Sequence, residues 1–197
     1  MENHSYNLFS VQVNHCKAFL PETLAHNIRD YILTYKSKKI THHNNLIGSA
    51  HTLFSHGLST YFLQEVAQNV SGCAELEDNI IKCVNDFMQN NIYPRDIALD
   101  GSWFNIQHPG STLTRHVHPG SIISGVLYIN ADEDSSPIFF ENPNPYYPFC
   151  NDIIRAHEFI PTTGDLILFP SWLSHYSDRI NRTENRIVIS FNTCEIN

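Results

Sequence analysis

The sequence predicts an α+β fold with a mainly β core, in which a helical N-terminal half packs on a jelly-roll. Two observations lead to this prediction. Apolar residues recur at helical spacing before about residue 96, and short apolar segments separated by Gly, Pro and Asn follow it. No repeat or linker rich in Gly, Ser or Pro divides the 197 residues. We therefore expect one domain over residues 1–197, mainly helical over 1–96 and β over 97–197.

The helical half contains three candidate helices. Apolar residues recur every three or four positions from Pro21 to Tyr35, and Pro21 suits a first helical turn. A second stripe runs from Ala74 to Asn91, and three acidic residues in its first turn favour a helix N-terminus. A shorter helix is expected around Leu58–Asn69.

The second half reads as many short strands without intervening helices, a pattern typical of an antiparallel sandwich or barrel. About eight strands would complete a jelly-roll. The predicted strands are Ser102–Gln107, Thr112–Val117, Ile122–Asn130, Pro137–Glu141, Glu158–Pro161, Asp165–Phe169 and Arg186–Thr193.

Composition narrows the functional classes. Lys and Arg number 12 against 20 Asp and Glu, for a formal net charge of −8 at pH 7. An acidic chain repels phosphate backbones, so no nucleic-acid partner is expected. The five cysteines are widely spaced without a CxxC pair, which is typical of reduced thiols. The sequence shows neither a signal peptide nor an apolar run of membrane-spanning length, and we expect a soluble cytoplasmic protein.

Three histidines form a candidate metal site. His116 and His118 are separated by one residue near a predicted strand end, so both imidazoles can point to the same side. His175 comes much later, but a jelly-roll can bring such distant strands together at one mouth. Imidazole is a usual ligand for iron(II), zinc and copper(II). On the spacing alone, metal binding competes evenly with surface exposure or packing of these side chains.

Five ordered segments of the second half resemble the 2-oxoglutarate/iron(II) oxygenases. The likeness covers about Trp103 to Thr193, and it looks closest to an oxygenase-like group of marine bacteria and their phages and more distantly similar to prolyl hydroxylases. The segments are His116–Pro119, Ser124–Asn130, Gly164–Pro170, His175 and Arg186–Asn192. The resemblance implies a double-stranded β-helix of the cupin-like kind, iron(II) as the metal and 2-oxoglutarate as the cosubstrate.

The resemblance also implies roles for single residues. His116 and His175 match the two histidine ligands of the family, while His118 stands where the family commonly has a carboxylate ligand. A neutral imidazole there leaves the metal one unit more positive. The resemblance implies that His118 binds the metal directly, and the alternative is that Asp178 or water completes the coordination.

A second group of residues is implied for the cosubstrate. Arg186 matches the arginine that binds the far carboxylate of 2-oxoglutarate, a task that suits a planar guanidinium. The alternative for Arg186 is a surface arginine paired with a neighbouring glutamate. Tyr128 matches a tyrosine that donates to the same carboxylate, with packing as the alternative. Asn105 and His108 are expected to line the same pocket.

The expected reaction is hydroxylation of an unactivated C–H bond with release of succinate and CO2. A peptidyl residue or an amino acid is the suggested substrate, O2 is the oxidant, and a homodimer stays open. The segment Asn142–Phe149 is a candidate lid or substrate-facing wall, and packing over the barrel end is an equal alternative. Three other functions stay open: a three-histidine, cupin-like dioxygenase independent of 2-oxoglutarate, a non-catalytic binding module whose fold is stabilised by a metal, and a β-sandwich interaction protein in which the histidines bind nothing.

Overall fold

The computed structural model describes residues 10–39, 54–56, 61–91, 96–135, 137–144, 154–181 and 183–196. The helices are α1 (Glu22–Lys39), α2 (Phe62–Asn69) and α3 (Leu76–Asn91). The strands are β1 (Asn14–Cys16), β2 (Phe54–His56), β3 (Ile97–Gln107), β4 (Leu113–His116), β5 (Ile123–Asn130), β6 (Ile138–Glu141), β7 (Ala156–Phe159), β8 (Leu166–Pro170), β9 (His175–Ser177) and β10 (Arg186–Glu195). The predicted α+β class with a mainly β core is confirmed.

The strands form two antiparallel sheets. The six-stranded sheet has the order β1-β8-β5-β10-β3-β2, and the four-stranded sheet has the order β4-β9-β6-β7. β10 pairs with β3 from Arg186 to Glu195 and with β5 on its other side, so it lies at the centre of the larger sheet. This two-sheet arrangement is that of a double-stranded β-helix.

Several element boundaries differ from the prediction. Three strands were not predicted: β1, β2 and β9. Each has only three residues, which is too few to show an alternating pattern. β3 begins at Ile97, five residues before the predicted start. The prediction began too late because Asp100 and Gly101 interrupt the apolar pattern. α1 continues to Lys39, and residues 58–60 of the predicted second helix lie outside the described residues. Among the described helices, none is long and apolar enough to cross a bilayer.

Both faces of the six-stranded sheet are covered. One face joins helices α1, α2 and α3 in an apolar cluster that includes Phe104, Ile106, Ile187, Ile189 and Phe191. The opposite face meets the four-stranded sheet in a second cluster that includes Tyr128, Phe140, Ile167, Phe169 and Val188. Full burial of each large apolar side chain contributes about 1.5–3 kcal/mol. The three histidines lie on the inner side of the sheets, beside the second cluster.

Candidate metal centre

The strand pairing brings the three predicted histidines together. His116 ends β4, His175 begins β9, and the two residues are paired in the antiparallel register. His118 follows β4, where its backbone N–H donates to the carbonyl of Ser171 at 2.9 Å. One ligand atom from each of the three side chains lies within 4.8 Å of the others. The spacing between the rings leaves room for one cation at their centre.

Main-chain carbonyls fix two of the imidazoles. Nδ1 of His116 is 2.8 Å from the carbonyl oxygen of Thr114, and Nδ1 of His175 is 3.0 Å from that of Leu173. A carbonyl oxygen can only accept, so each Nδ1 carries the proton and each Nε2 keeps its lone pair. Metal-binding histidines are commonly oriented by such a contact at the second ring nitrogen.

The environment keeps His118 and His175 neutral. Burial, followed by the neighbouring His116, lowers the pKa of His118 to about 4 and that of His175 to about 3. Both rings are therefore uncharged at pH 7, the form that binds a metal. Three converging imidazoles, two of them with Nε2 left free by the carbonyl contacts, fit iron(II), which accepts nitrogen ligands.

A carboxylate is absent from this group in the described part of the chain. Asp178, the alternative ligand, is exposed and lines a different cavity with Asp132, Asp134 and Glu184. The position of Asp178 therefore does not support its role in completing the coordination, whereas His118 lies within the group.

The inner face of the six-stranded sheet continues from the histidines along β3. The ring centroid of Trp103 lies 6.1 Å from that of His118. Asn105 and Gln107 follow on the same face, since alternate strand residues share a side. The register pairs Trp103 with Ser190 and Gln107 with Arg186. Arg186 thus lies on the histidine side of the sheet, four residues along β10 from Ser190.

Arg186 is buried deep in this face. Arg186 is only 3% exposed, so the alternative that it is a surface arginine is wrong. Cζ of Arg186 lies 5.5 Å from the ring centroid of Tyr128. Burial raises the pKa of Tyr128 to about 12, although Arg186 opposes that rise. The hydroxyl of Tyr128 is therefore a proton donor at neutral pH, adjacent to a cation.

Three buried oxygen atoms of this inner face have no hydrogen-bond partner among the described residues. They are Oδ1 of Asn105, Oε1 of Gln107 and the hydroxyl of Tyr128. Leaving a buried polar atom unsatisfied costs about 1–3 kcal/mol, and native proteins contain few such atoms. Two of them, on Gln107 and Tyr128, lie beside Arg186, and the three atoms together indicate a place for a polar ligand.

Asn105 and His108, which were both expected to line the cosubstrate pocket, lie in different places in the structure. Asn105 lies on the inner face, where its Nδ2 donates to Oγ of Ser190 at 3.3 Å. His108 follows the end of β3, and its Nδ1 lies 2.8 Å from Oδ1 of Asn185. The contacts of His108 therefore do not support a place in the cosubstrate pocket. Gln107 lies on the inner face instead, paired with Arg186, and the alternation from Asn105 was the sequence signal for it.

Comparison with known proteins agrees with this geometry. Residues 101–192 match a family model described as "Putative 2OG-Fe(II) oxygenase". No curated protein sequence matches the chain.

Three solved structures illustrate the likeness of fold. A Pseudomonas putida prolyl-4-hydroxylase is 14% identical with a TM-score of 0.66, and the alignment covers 95% of each chain. The epimerase SnoN from nogalamycin biosynthesis is 10% identical with a TM-score of 0.70, over 94% of this chain and 78% of SnoN. HygX from Streptomyces hygroscopicus, solved with nickel and 2-oxoglutarate, is 8% identical with a TM-score of 0.65, over 94% of this chain and 83% of HygX.

The fold, the family match over residues 101–192 and the three converging histidines lead to one assignment. Residues 101–192 match the 2-oxoglutarate/iron(II) oxygenases, and the match supports an oxidoreductase of that superfamily.

Proposed function

We propose that this oxygenase hydroxylates an unactivated C–H bond of a small molecule or a peptidyl residue. One atom of O2 enters the product and the other enters succinate, as 2-oxoglutarate loses CO2. The observation that carries the proposal is the convergence of His116, His118 and His175, with ligand atoms within 4.8 Å of one another. Iron held by these histidines would supply the activation of O2, which protein side chains do not provide.

The three histidines are proposed to hold the metal on one side. Two Nε2 atoms are aimed by the carbonyl contacts of His116 and His175, and the third ligand comes from His118. Three ligands on one face of an octahedral ion leave the opposite face for cosubstrate and O2. With no carboxylate in the group, the site keeps the full charge of the divalent ion, which strengthens its attraction for a dianionic cosubstrate.

The inner face of β3 and β10 is proposed to hold the far end of 2-oxoglutarate. From Ser190 to Arg186 the strand rises roughly 13 Å, a length that the cosubstrate and the guanidinium can span together. Arg186 would bind the distal carboxylate through two parallel N–H donors, and Tyr128 would donate its hydroxyl to the same group. Gln107, paired with Arg186, can donate its amide after rotation of the terminal group, because the two amide positions are interchangeable.

An anaerobic titration tests the proposal. Adding 2-oxoglutarate to the iron(II) protein should produce a weak visible charge-transfer band. His175→Ala should remove the band, because it deletes a ligand, while Arg186→Ala should keep metal binding and weaken the response to 2-oxoglutarate. His26→Ala is the matched control, since His26 is an exposed histidine on α1.

The same titration separates the alternatives. Metal binding without a response to 2-oxoglutarate would favour a three-histidine dioxygenase of another kind or a structural metal. Absence of iron(II) binding would refute the proposal. The single-domain organisation over residues 1–197, a homodimer, the cytoplasmic location and the lack of a nucleic-acid partner remain proposals.

A further inference from the structure

We propose that Trp103 and Asn192 bind the substrate, and that the substrate is a neutral amide whose carbonyl oxygen accepts hydrogen bonds from both side chains. This inference rests on the proposed function and adds a substrate class to it. Alternation along β3 and β10 places both residues on the inner face of the six-stranded sheet, the face that carries Ser190 and Arg186.

The two residues lie at the end of this face that holds the histidines. The ring centroid of Trp103 is 6.1 Å from that of His118. Asn192 accepts at Oδ1 from Oγ of Ser124 at 2.7 Å, and Ser124 is bonded in turn to Oγ of Ser171. The carbonyl of Ser171 accepts from the backbone N–H of His118. Trp103 and Asn192 are thus each linked to the residue of the third proposed ligand.

The pair lies away from the proposed site for the far carboxylate of 2-oxoglutarate. Asn192 is six positions beyond Arg186 on β10, roughly 20 Å at the usual rise of a strand. Gln107 and Tyr128 lie at the Arg186 end of the same face. Trp103 and Asn192 are therefore left for a second ligand beside the metal.

The inner face is accessible at this point. Trp103, Ser190 and Asn192 are partly exposed, although the four-stranded sheet covers this side of the larger sheet. Trp103 belongs to neither apolar cluster of the described residues. The register also pairs Asn192 with Gly101, which has no side chain. Partly exposed side chains between two packed sheets indicate that space for a ligand lies against them.

The two side chains offer hydrogen-bond donors. Among the residues that the structure describes, none accepts from Nε1 of Trp103, and Asn192 is engaged through Oδ1 alone, which leaves its Nδ2 available. An indole N–H and an amide NH2 can only donate. A carbonyl oxygen only accepts and has two lone pairs, so it can serve both donors, whereas a hydroxyl would bring a proton that needs an acceptor of its own.

The neighbouring side chains favour a neutral occupant. The inner-face neighbours of the pair in the strand register are uncharged: Gly101, Ser124, Val126 and Ser190. A free amino acid would bring an ammonium and a carboxylate group, and burying an unpaired charge is costly. An amide brings no charge, and its hydrocarbon part can pack on the indole. Of the two substrates suggested by the sequence, these features favour a peptidyl residue over a free amino acid.

Proteins with a single tryptophan test the contact directly. The chain has two tryptophans, so Trp172→Phe leaves Trp103 as the fluorescent reporter, and Trp103→Phe leaves the exposed Trp172. Each protein is loaded with Zn(II) and 2-oxoglutarate, which prevents turnover, and titrated with the N-acetyl methylamides of leucine, proline and phenylalanine. We expect at least one amide to change the emission of Trp103 saturably and to leave that of Trp172 unchanged. The corresponding free amino acids should change neither.

Ligand-detected NMR then measures the affinity of the amide for the variants. Asn192→Ala and Trp103→Phe should each weaken it by about tenfold, because each removes one donor, and should leave the affinity for 2-oxoglutarate unchanged. Asn79→Ala is the matched control, since Asn79 is an exposed asparagine on α3. Circular dichroism reports whether each variant folds, and either variant decides the question if the other does not fold.

The outcomes separate this inference from the proposed function. A protein that responds to 2-oxoglutarate but binds none of the amides would overturn the inference and leave the proposed function intact. Asn192→Ala that weakens 2-oxoglutarate and not the amide would assign the donor to the cosubstrate, which also overturns the inference. Failure of 2-oxoglutarate to bind would count against the proposed function, and the emission of Trp103 with the amides would still decide the contact.

Discussion

The buried hydroxyl of Tyr128 has opposite effects on stability and on the proposed binding of 2-oxoglutarate. The tyrosine is fully buried in the core between the sheets, and its hydroxyl has no hydrogen-bond partner among the described residues. The ring therefore stabilises the fold while the oxygen costs free energy in the free protein. Such a cost is expected where a buried polar group forms its hydrogen bond only when a ligand is bound.

Replacing Tyr128 with Phe should separate the two effects. We expect Tyr128→Phe to leave the free energy of unfolding unchanged or to raise it by about 1 kcal/mol, because an unsatisfied polar atom is removed. The same change should weaken the binding of 2-oxoglutarate by about tenfold, since one hydrogen-bond donor to its carboxylate is lost. Urea unfolding and the anaerobic titration measure the two quantities.

Tyr176→Phe provides the comparison, because Tyr176 stacks on Phe139 outside the inner face. A Tyr128→Phe protein that loses stability and keeps full affinity for 2-oxoglutarate would show that Tyr128 only packs.

Single residues differ in how far the sequence could predict them. The His116–His118 pair was predicted from strand alternation, but β4 ends at His116, and His118 is instead held by its backbone hydrogen bond to Ser171. Gln107 follows the same alternation as Asn105, but the prediction chose His108 instead, because histidine is a residue type typical of functional sites. His108 falls beyond the last residue of β3, where alternation no longer determines direction. The strand boundary, which sequence patterns locate poorly, decided between the two.

At the scale of elements, one carboxylate joins the start of β8 to the segment after β1. Asp165 accepts from the backbone N–H of Ala18 at 2.9 Å and of Thr162 at 3.0 Å, and its Oδ2 lies 2.9 Å from Nε2 of His15. Gly164, with φ of +91°, allows the carbonyl of Leu20 to lie where a Cβ would stand. Burial alone raises the pKa of Asp165, but the hydrogen bonds from Thr162, Ala18 and His15 outweigh it and lower the pKa below its usual value.

Asp165→Asn should therefore destabilise the protein in a pH-dependent way. At pH 7 we expect a loss of about 2–3 kcal/mol, the usual contribution of hydrogen bonds to a charged group. Because the pKa is lower in the folded state, the stabilisation is present above the unfolded pKa of about 3.9 and disappears as the pH falls through the folded value. Urea unfolding at neutral and strongly acidic pH should thus show a difference between the two proteins that shrinks with acid.

Asp178→Asn is the control, as Asp178 is exposed. A destabilisation of Asp165→Asn that is equally large at all pH values would contradict the role of the charge.

The elements illustrate which parts of a fold the sequence alone can predict. Helices α1 and α3 and strands β5, β8 and β10 are long or apolar enough to be recognised. β9, in contrast, has three residues and owes its conformation to pairing with β4 and β6. Pairing between distant segments depends on tertiary contacts, so the register that places His116 opposite His175 was beyond any local pattern.

At the scale of the whole molecule, the metal centre joins structural parts that otherwise meet through packing. His116 and His175 belong to the four-stranded sheet, while His118 is bonded through Ser171 to the end of the six-stranded sheet. Ser171 is held in turn by Oγ of Ser124, at 2.8 Å. A bound ion would therefore connect the two sheets.

Metal should raise the thermal stability accordingly. A ligand that binds only the folded state contributes about 2.7 kcal/mol at a free concentration of about 100 Kd. For a chain of this length, that corresponds to a rise in Tm of roughly 5–10 °C. Thermal unfolding with and without Ni(II) measures it, with His26→Ala expected to respond like the natural protein and His175→Ala to respond weakly. An equal rise in His175→Ala would locate the ion elsewhere.

The carbonyl contacts of the histidines bear on how such a site can change over evolution. The groups that orient His116 and His175 belong to the main chain at Thr114 and Leu173, and every amino acid carries a carbonyl. Mutation can therefore vary the side chains at 114 and 173 without losing the acceptors that set the two tautomers. Thr114 is exposed, so its side chain can change freely, whereas Leu173 is buried in the second apolar cluster, where packing restricts which side chains are tolerated.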